Sequence, residues 1–80
     1  MTILQSRIDN FISTVNCGDE MILSQHGSVE QGTGLILGYG HTGWYLLDSG
    51  HRVELGATIT SQAIMLIAAD WASDTGAELA

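Results

Sequence analysis

Apolar residues recur along this chain at two different periods. Leu4, Ile8, Phe11, Ile12 and Val15 repeat at helical spacing, and Thr2 with Gln5 three positions on spells a capping box. Cys17-Gly18 supplies a stop, so the spacing predicts an amphipathic helix over residues 3–16, with Arg7 and Asp9 on its polar side. The period then shortens to two. Strands are predicted near residues 21–25, 35–39, 44–48 and 51–55, the last three joined by Gly40-His41-Thr42-Gly43 and by Ser49-Gly50. Both joints are tight-turn chemistry, because glycine takes the positive φ that hairpins need. Residues 26–34 are polar and hold Gly27, Gly32 and Gly34, which fits either a bulged strand around Val29 or a loop. Past Gly56, Thr58 or Thr60 can cap a second helix with its body at residues 61–73 and its C-cap at Gly76, leaving Ala77 to Ala80 as a frayed tail.

The order is α-β-β-β(-β)-α, which predicts one α+β domain: an antiparallel sheet of three or four strands packed by two helices. Two-residue turns set Asp48 opposite His51, Leu46 opposite Val53 and Trp44 opposite Leu55. The preceding turn sets Tyr39 opposite Trp44 and Leu37 opposite Leu46. Opposed residues share a face, so Leu35, Leu37, Tyr39, Trp44, Leu46, Val53 and Leu55 belong to one, which both helices should cover. The other face carries Ile36, Gly38, Tyr45, Leu47, Arg52 and Glu54. That is more apolar than a solvated face requires, and Ile36, Tyr45, Leu47 and Glu54 become candidates for partner binding or dimerisation. In the second helix Ile64, Ile67, Ala68 and Trp71 form a core stripe, yet Met65, Leu66 and Ala69 lie on its other sides. A helix apolar nearly all round calls for a partner or a second copy.

Charge sharpens the picture. Nine carboxylates face two arginines and no lysine, a net charge of −7. Such a surface repels nucleic acid and anionic membranes and attracts basic protein surfaces. The composition, 45% hydrophobic and 14% charged, is nevertheless that of a globular domain and not of an acidic tail. Asp70 and Asp74 are i,i+4 neighbours at the C-terminal end of a helix. Their repulsion costs about 0.2–0.5 kcal/mol, and each opposes the helix dipole by about 0.3–1 kcal/mol. Glu78 continues this acidic stretch, and Asp19-Glu20 after the first helix make a second cluster. Asp70, Asp74, Glu78, Asp19 and Glu20 are therefore the candidate contacts to a basic partner.

Recognisable reaction chemistry is absent from the sequence. Gly32-Thr33-Gly34 and Gly38-Tyr39-Gly40 lack the lysine of a phosphate loop and sit in hairpins. His26, His41 and His51 contain no closely spaced ligand pair, so neither metal nor cofactor is expected. Cys17 follows a helix C-terminus, the wrong end for an activated nucleophile, and reads as a small apolar filler. His51 beside Asp48 reads as a turn-stabilising pair, with His41 decorating the neighbouring turn. The enzyme reading is the weakest. A lone cysteine and no signal-peptide start point to a cytoplasmic protein.

In size, acidity and mixed α/β layout the chain resembles small phage-encoded anti-defence proteins of the anti-CRISPR type, although no residue motif carries the resemblance. It implies a non-enzymatic inhibitor that docks on a basic, nucleic-acid-handling protein or ribonucleoprotein complex of a bacterial cell and blocks nucleic-acid or nuclease access. The alternative is a small homodimeric assembly protein. Element order is also similar to the double-stranded-RNA-binding domain, but the stretch matching that family's lysine-rich helix start, Thr58-Ile59-Thr60-Ser61-Gln62, has no cation. Direct nucleic-acid binding is therefore not expected.

Overall fold

A computed structural model describes residues 3–25, 34–76 and Leu79. The elements run α1 (Ile3–Thr14), β1 (Glu20–Gln25), β2 (Gly34–Gly40), β3 (Gly43–Asp48), β4 (His51–Gly56) and α2 (Ser61–Thr75). The four strands form an antiparallel meander in the order β1-β2-β3-β4, as the α+β reading predicts. Thr2 of the expected capping box, the segment around Val29 and most of the tail lie outside the described residues.

Helix α1 stops at Thr14, two residues short of the expected end. Ser13 and Thr14 turn their hydroxyls onto the carbonyls of Asp9 and Asn10, at 3.0 and 2.9 Å. A local turn then takes over, with Asn16 N–H donating to the Asp19 carboxylate at 2.9 Å and Asp19 N–H to the Asn16 carbonyl at 3.0 Å. These bonds offer the backbone an alternative to another helical turn. Helix α2 runs two residues longer than its pattern. Thr60 caps its start, accepting from Ala63 N–H, and Gly76 ends it in the left-handed region at φ 71°.

The core lies between the helices and one sheet face. Ile8, Leu23, Leu35, Leu37, Ile64 and Ala68 are within 1% of complete burial, and Trp44 joins α1 to the β2–β3 hairpin through ring contacts with Phe11 and Tyr39. Two bulges modify the simple alternation. In β1 the register slips between Ile22 and Ser24, so Leu23 and Ser24 are both buried. In β4, Trp44 pairs with Gly56 and not with Leu55 as expected, because Leu55 is the extra residue of a second bulge. Gly43 makes that approach possible: a Cβ there would meet the Gly56 carbonyl oxygen at 2.5 Å.

The expectation that both helices cover the whole inner face is corrected at β4. The helices contact one another, and α2 contacts β1. Val53 stays 43% exposed, and on α2 Ile67, assigned to the core stripe, is 39% exposed. Two helices seated over β1 to β3 leave the last strand short of cover.

The β3–β4 turn has both central residues at positive φ, Ser49 at 49° and Gly50 at 86°, the signature of a type I′ turn that suits strand twist. Serine is a poor occupant of the first position. Ser49→Asn should raise stability by about 0.5–1 kcal/mol, read as a higher denaturant midpoint at unchanged slope. A neutral or destabilising result would mean that the turn is not I′ in solution.

Candidate functional site

The gap left at β4 is a groove of about 380 Å³ between that strand and α2. Val53 and Leu55 form one wall, Ile67 and Trp71 the other. Asp48, Asp70 and Asp74 also line it, and none of the lining residues is cationic. Leu35 and Leu46 complete the lining, and one polar contact crosses it. The Trp71 indole N–H donates to the Asp48 carboxylate at 2.7 Å, joining α2 to the end of β3. Sequence alternation places Asp48 on the same side as Leu46, facing the helices. Trp71 is 92% buried (8% exposed), and its N–H needs an acceptor there. The expected Asp48–His51 turn pair is thus replaced: Asp48 serves the helix, and His51 is exposed at the hairpin tip.

The structure separates the two acidic clusters. Asp70 and Asp74 stand together on the exposed side of α2, at the groove. Asp48, missed as a candidate, joins them across the chain; the signal for it was an inward-facing carboxylate opposite a helix tryptophan. Glu78 lies outside the described residues. Asp19 is committed to the turn after α1. Glu20 belongs to β1, at the opposite edge of the sheet, and accepts from the Tyr45 hydroxyl at 2.7 Å.

The outer sheet face is organised around that tyrosine. Tyr45 sits across the strand pair from Gly38, and a Cβ on Gly38 would meet the ring at 2.3 Å. The Arg52 guanidinium lies 4.0 Å from the ring centroid and also donates to Glu54 at 2.6 Å. Glu54 accepts from Thr42 at 3.3 Å. Tyr45 is only 7% exposed although no described helix covers this face, because Gly38 lets its ring lie flat on the sheet. Of the candidate residues here, Tyr45 and Glu54 are held in internal contacts, Ile36 and Leu47 are half-buried, and among the described residues the most exposed apolar one of this face is Ile22 at 50%. The apolar surface offered to a partner is therefore smaller than the sequence implied. The exposed Arg52–Glu54 pair adds about 0–1 kcal/mol at most, whereas leaving the partly buried Trp71 N–H without the Asp48 carboxyl would cost about 1–3 kcal/mol.

Cys17 is exposed and not a core filler, with its Sγ 3.8 Å from His41 Nδ1. Among the described residues no group of three or more histidine, cysteine, aspartate or glutamate side chains is arranged to hold a metal ion. No described helix is long and apolar enough to cross a membrane. No protein-family model matches the chain, nor does any curated protein or solved structure.

Two outcomes follow from these contacts. Asp48→Ala leaves the buried indole N–H unpaired and should cost about 1–3 kcal/mol by denaturant unfolding, while Asp48→Asn, which keeps an acceptor, should cost less. The second concerns pH. The hydrogen bond to Glu20 is the largest of the causes that hold the Tyr45 phenol above its ordinary 10.0, with burial and the Glu20 charge acting the same way and Arg52 opposing. Tyr45 thus contributes stability that is intact below about pH 10 and lost as pH rises through its folded value. Tyr45→Phe should flatten that alkaline loss, and an ultraviolet titration should lose one late-titrating phenol. An unchanged alkaline profile would remove the role assigned to Glu20.

Proposed function

We propose that this chain is a non-enzymatic inhibitor that docks on a basic surface of a nucleic-acid-handling protein or ribonucleoprotein complex, using the acid-lined groove between β4 and α2. The single observation that carries this reading is an apolar groove, lined by Asp48, Asp70 and Asp74, with no cation in its lining. Arg52 is occupied on the outer sheet face and Arg7 is exposed on α1. A partner that brings lysine or arginine gains attraction where the free protein has repulsion. The likeness in build to anti-CRISPR proteins supports the same reading, with blocked nucleic-acid or nuclease access as the consequence.

Full mimicry of a duplex is not part of the proposal. The described residues extend 28 Å along their longest axis, and duplex DNA of that length carries about 16 negative charges. Nine carboxylates over the whole chain do not match that density. A local wedge against a few cations fits better, and at exposed positions it governs association rate and salt sensitivity.

A second reading, a homodimeric assembly protein, is favoured by one observation: Leu66 on α2 is 74% exposed and adjoins the half-exposed Ile67.

Affinity capture from a nuclease-treated bacterial lysate, with the wild type beside Asp70→Lys/Asp74→Lys, separates the two. The inhibitor reading expects a nucleic-acid-binding complex that is recovered by the wild type, weakened as salt rises from about 0.1 to 0.5 M, and lost with the double variant. The variant's thermal midpoint should be unchanged or slightly raised, since both substitutions relieve repulsion at the helix end. Equal recovery by both proteins, or recovery of the protein alone as a dimer, would overturn it.

A further inference from the structure

We infer that β4 is a strand-addition site, which takes an extended segment of the partner in which apolar and cationic residues alternate. The inference rests on the proposed docking at the β4–α2 groove and specifies how it is made.

The backbone supports it first. β4 is an edge strand with β3 as its one neighbour in the sheet. Ser49 N–H donates to the Gly34 carbonyl at 2.8 Å, which identifies the residues of β3 that bond toward β2. In an antiparallel ladder bonding alternates from one side of a strand to the other. Leu47 and Tyr45 therefore bond toward β2, and Asp48 and Leu46 toward β4. Their partners in β4 are His51 and Val53. Arg52 and Glu54 consequently direct their N–H and C=O groups away from the sheet, two donors and two acceptors at the spacing a new strand requires. The opposite edge differs: Leu79 bridges Ser24 of β1 in antiparallel fashion, so the chain's own tail meets that edge. Among the described residues no further strand or bridge pairs with the outer edge of β4. β4 carries neither lysine nor proline, and its edge is blunted only by the charged Arg52 and Glu54 and by the bulge at Leu55.

The side chains specify the occupant. A strand added about 4.8 Å beyond β4 turns every second side chain toward α2, where Val53 is 43% and Ile67 39% exposed. Apolar residues at those positions cover both. Lysine or arginine near the ends of the same segment comes within reach of Asp48, Asp70 and Asp74, which no cation of this chain's groove lining neutralises. Charge also decides against a second copy as the occupant. Two copies at net −7 each would bring six groove carboxylates together, although a β4–β4 pairing centred on Val53 would oppose Arg52 to Glu54.

The test uses the full-length protein and a synthetic peptide of alternating valine and lysine, roughly seven residues long, with a control of the same composition whose valines are contiguous. Amide hydrogen exchange is followed residue by residue. Strand addition expects the alternating peptide to slow exchange at Arg52 and Glu54 by roughly tenfold or more at saturation, with little change at His51 and Val53, which already bond to β3. Glu54→Pro deletes one outward donor at a position where an edge strand accepts proline, and should weaken the peptide about three- to tenfold. Asp70→Lys/Asp74→Lys should weaken it as well. Binding without protection at Arg52 and Glu54, or equal binding of both peptides, would overturn strand addition while leaving the basic-partner reading in place. No binding of either peptide would also overturn it. Protection in the protein alone that fades on dilution would make a second copy the occupant and overturn it too. Loss of the basic-partner reading is seen separately, as lysate capture that is indifferent to Asp70 and Asp74.

Discussion

The bond from the Trp71 indole to the Asp48 carboxylate governs the layout of this domain. It joins the last turns of α2 to the end of β3, and with the helix also in contact with β1 the final strand is left short of cover. Ile64 and Ala68, on the same side of the helix as Trp71, then complete the core. Ile67, next round the helix, is left facing the gap beside Val53. The groove is thus a consequence of where one buried N–H found its acceptor. Its acidity has the same origin, since the acceptor is a carboxylate and the last turns of α2 bring two more.

The sheet's other face solves a different problem. A two-layer α+β domain leaves one sheet face without helices, and apolar residues there would be exposed. Tyr45 lowers that exposure by lying over Gly38, with its hydroxyl on Glu20 and its ring under Arg52. A residue that reads as part of a docking patch is in this way the main cover of its own sheet. The consequence for function is a shift of emphasis, from the outer face to the groove edge, where the exposed apolar atoms and the unpaired strand backbone coincide.

Much of this was legible in the order of residues. Helical spacing located α1 and α2, and glycines bounded the strands. The two-residue turn at Ser49-Gly50 set the β3–β4 register near the turn, so the inward set of Leu35, Leu37, Trp44 and Leu46 followed from parity alone. What parity cannot reveal is a bulge. One extra residue at Leu23 and another at Leu55 changed the pairing of β1 and β4; the first has no marker in its immediate neighbours, and the second adjoins Gly56, whose φ of 98° reads in the sequence only as the end of a strand. The end of α1 was misjudged for a related reason: whether Val15 and Asn16 continue the helix depends on competing hydrogen bonds, and Asp19, which accepts from Asn16 N–H, settles that competition from beyond the helix.

By itself the sequence determined the element order, the sheet's two faces and the surplus of negative charge, because all three depend on residue type and on local periodicity. Only the tertiary structure decided that Asp48 stands with Asp70 and Asp74 while Asp19 and Glu20 do not. Likewise only the fold made β4 an open edge beside an uncovered groove. These are long-range facts, set by which carboxylate a buried tryptophan reaches and by how far two short helices extend across four strands.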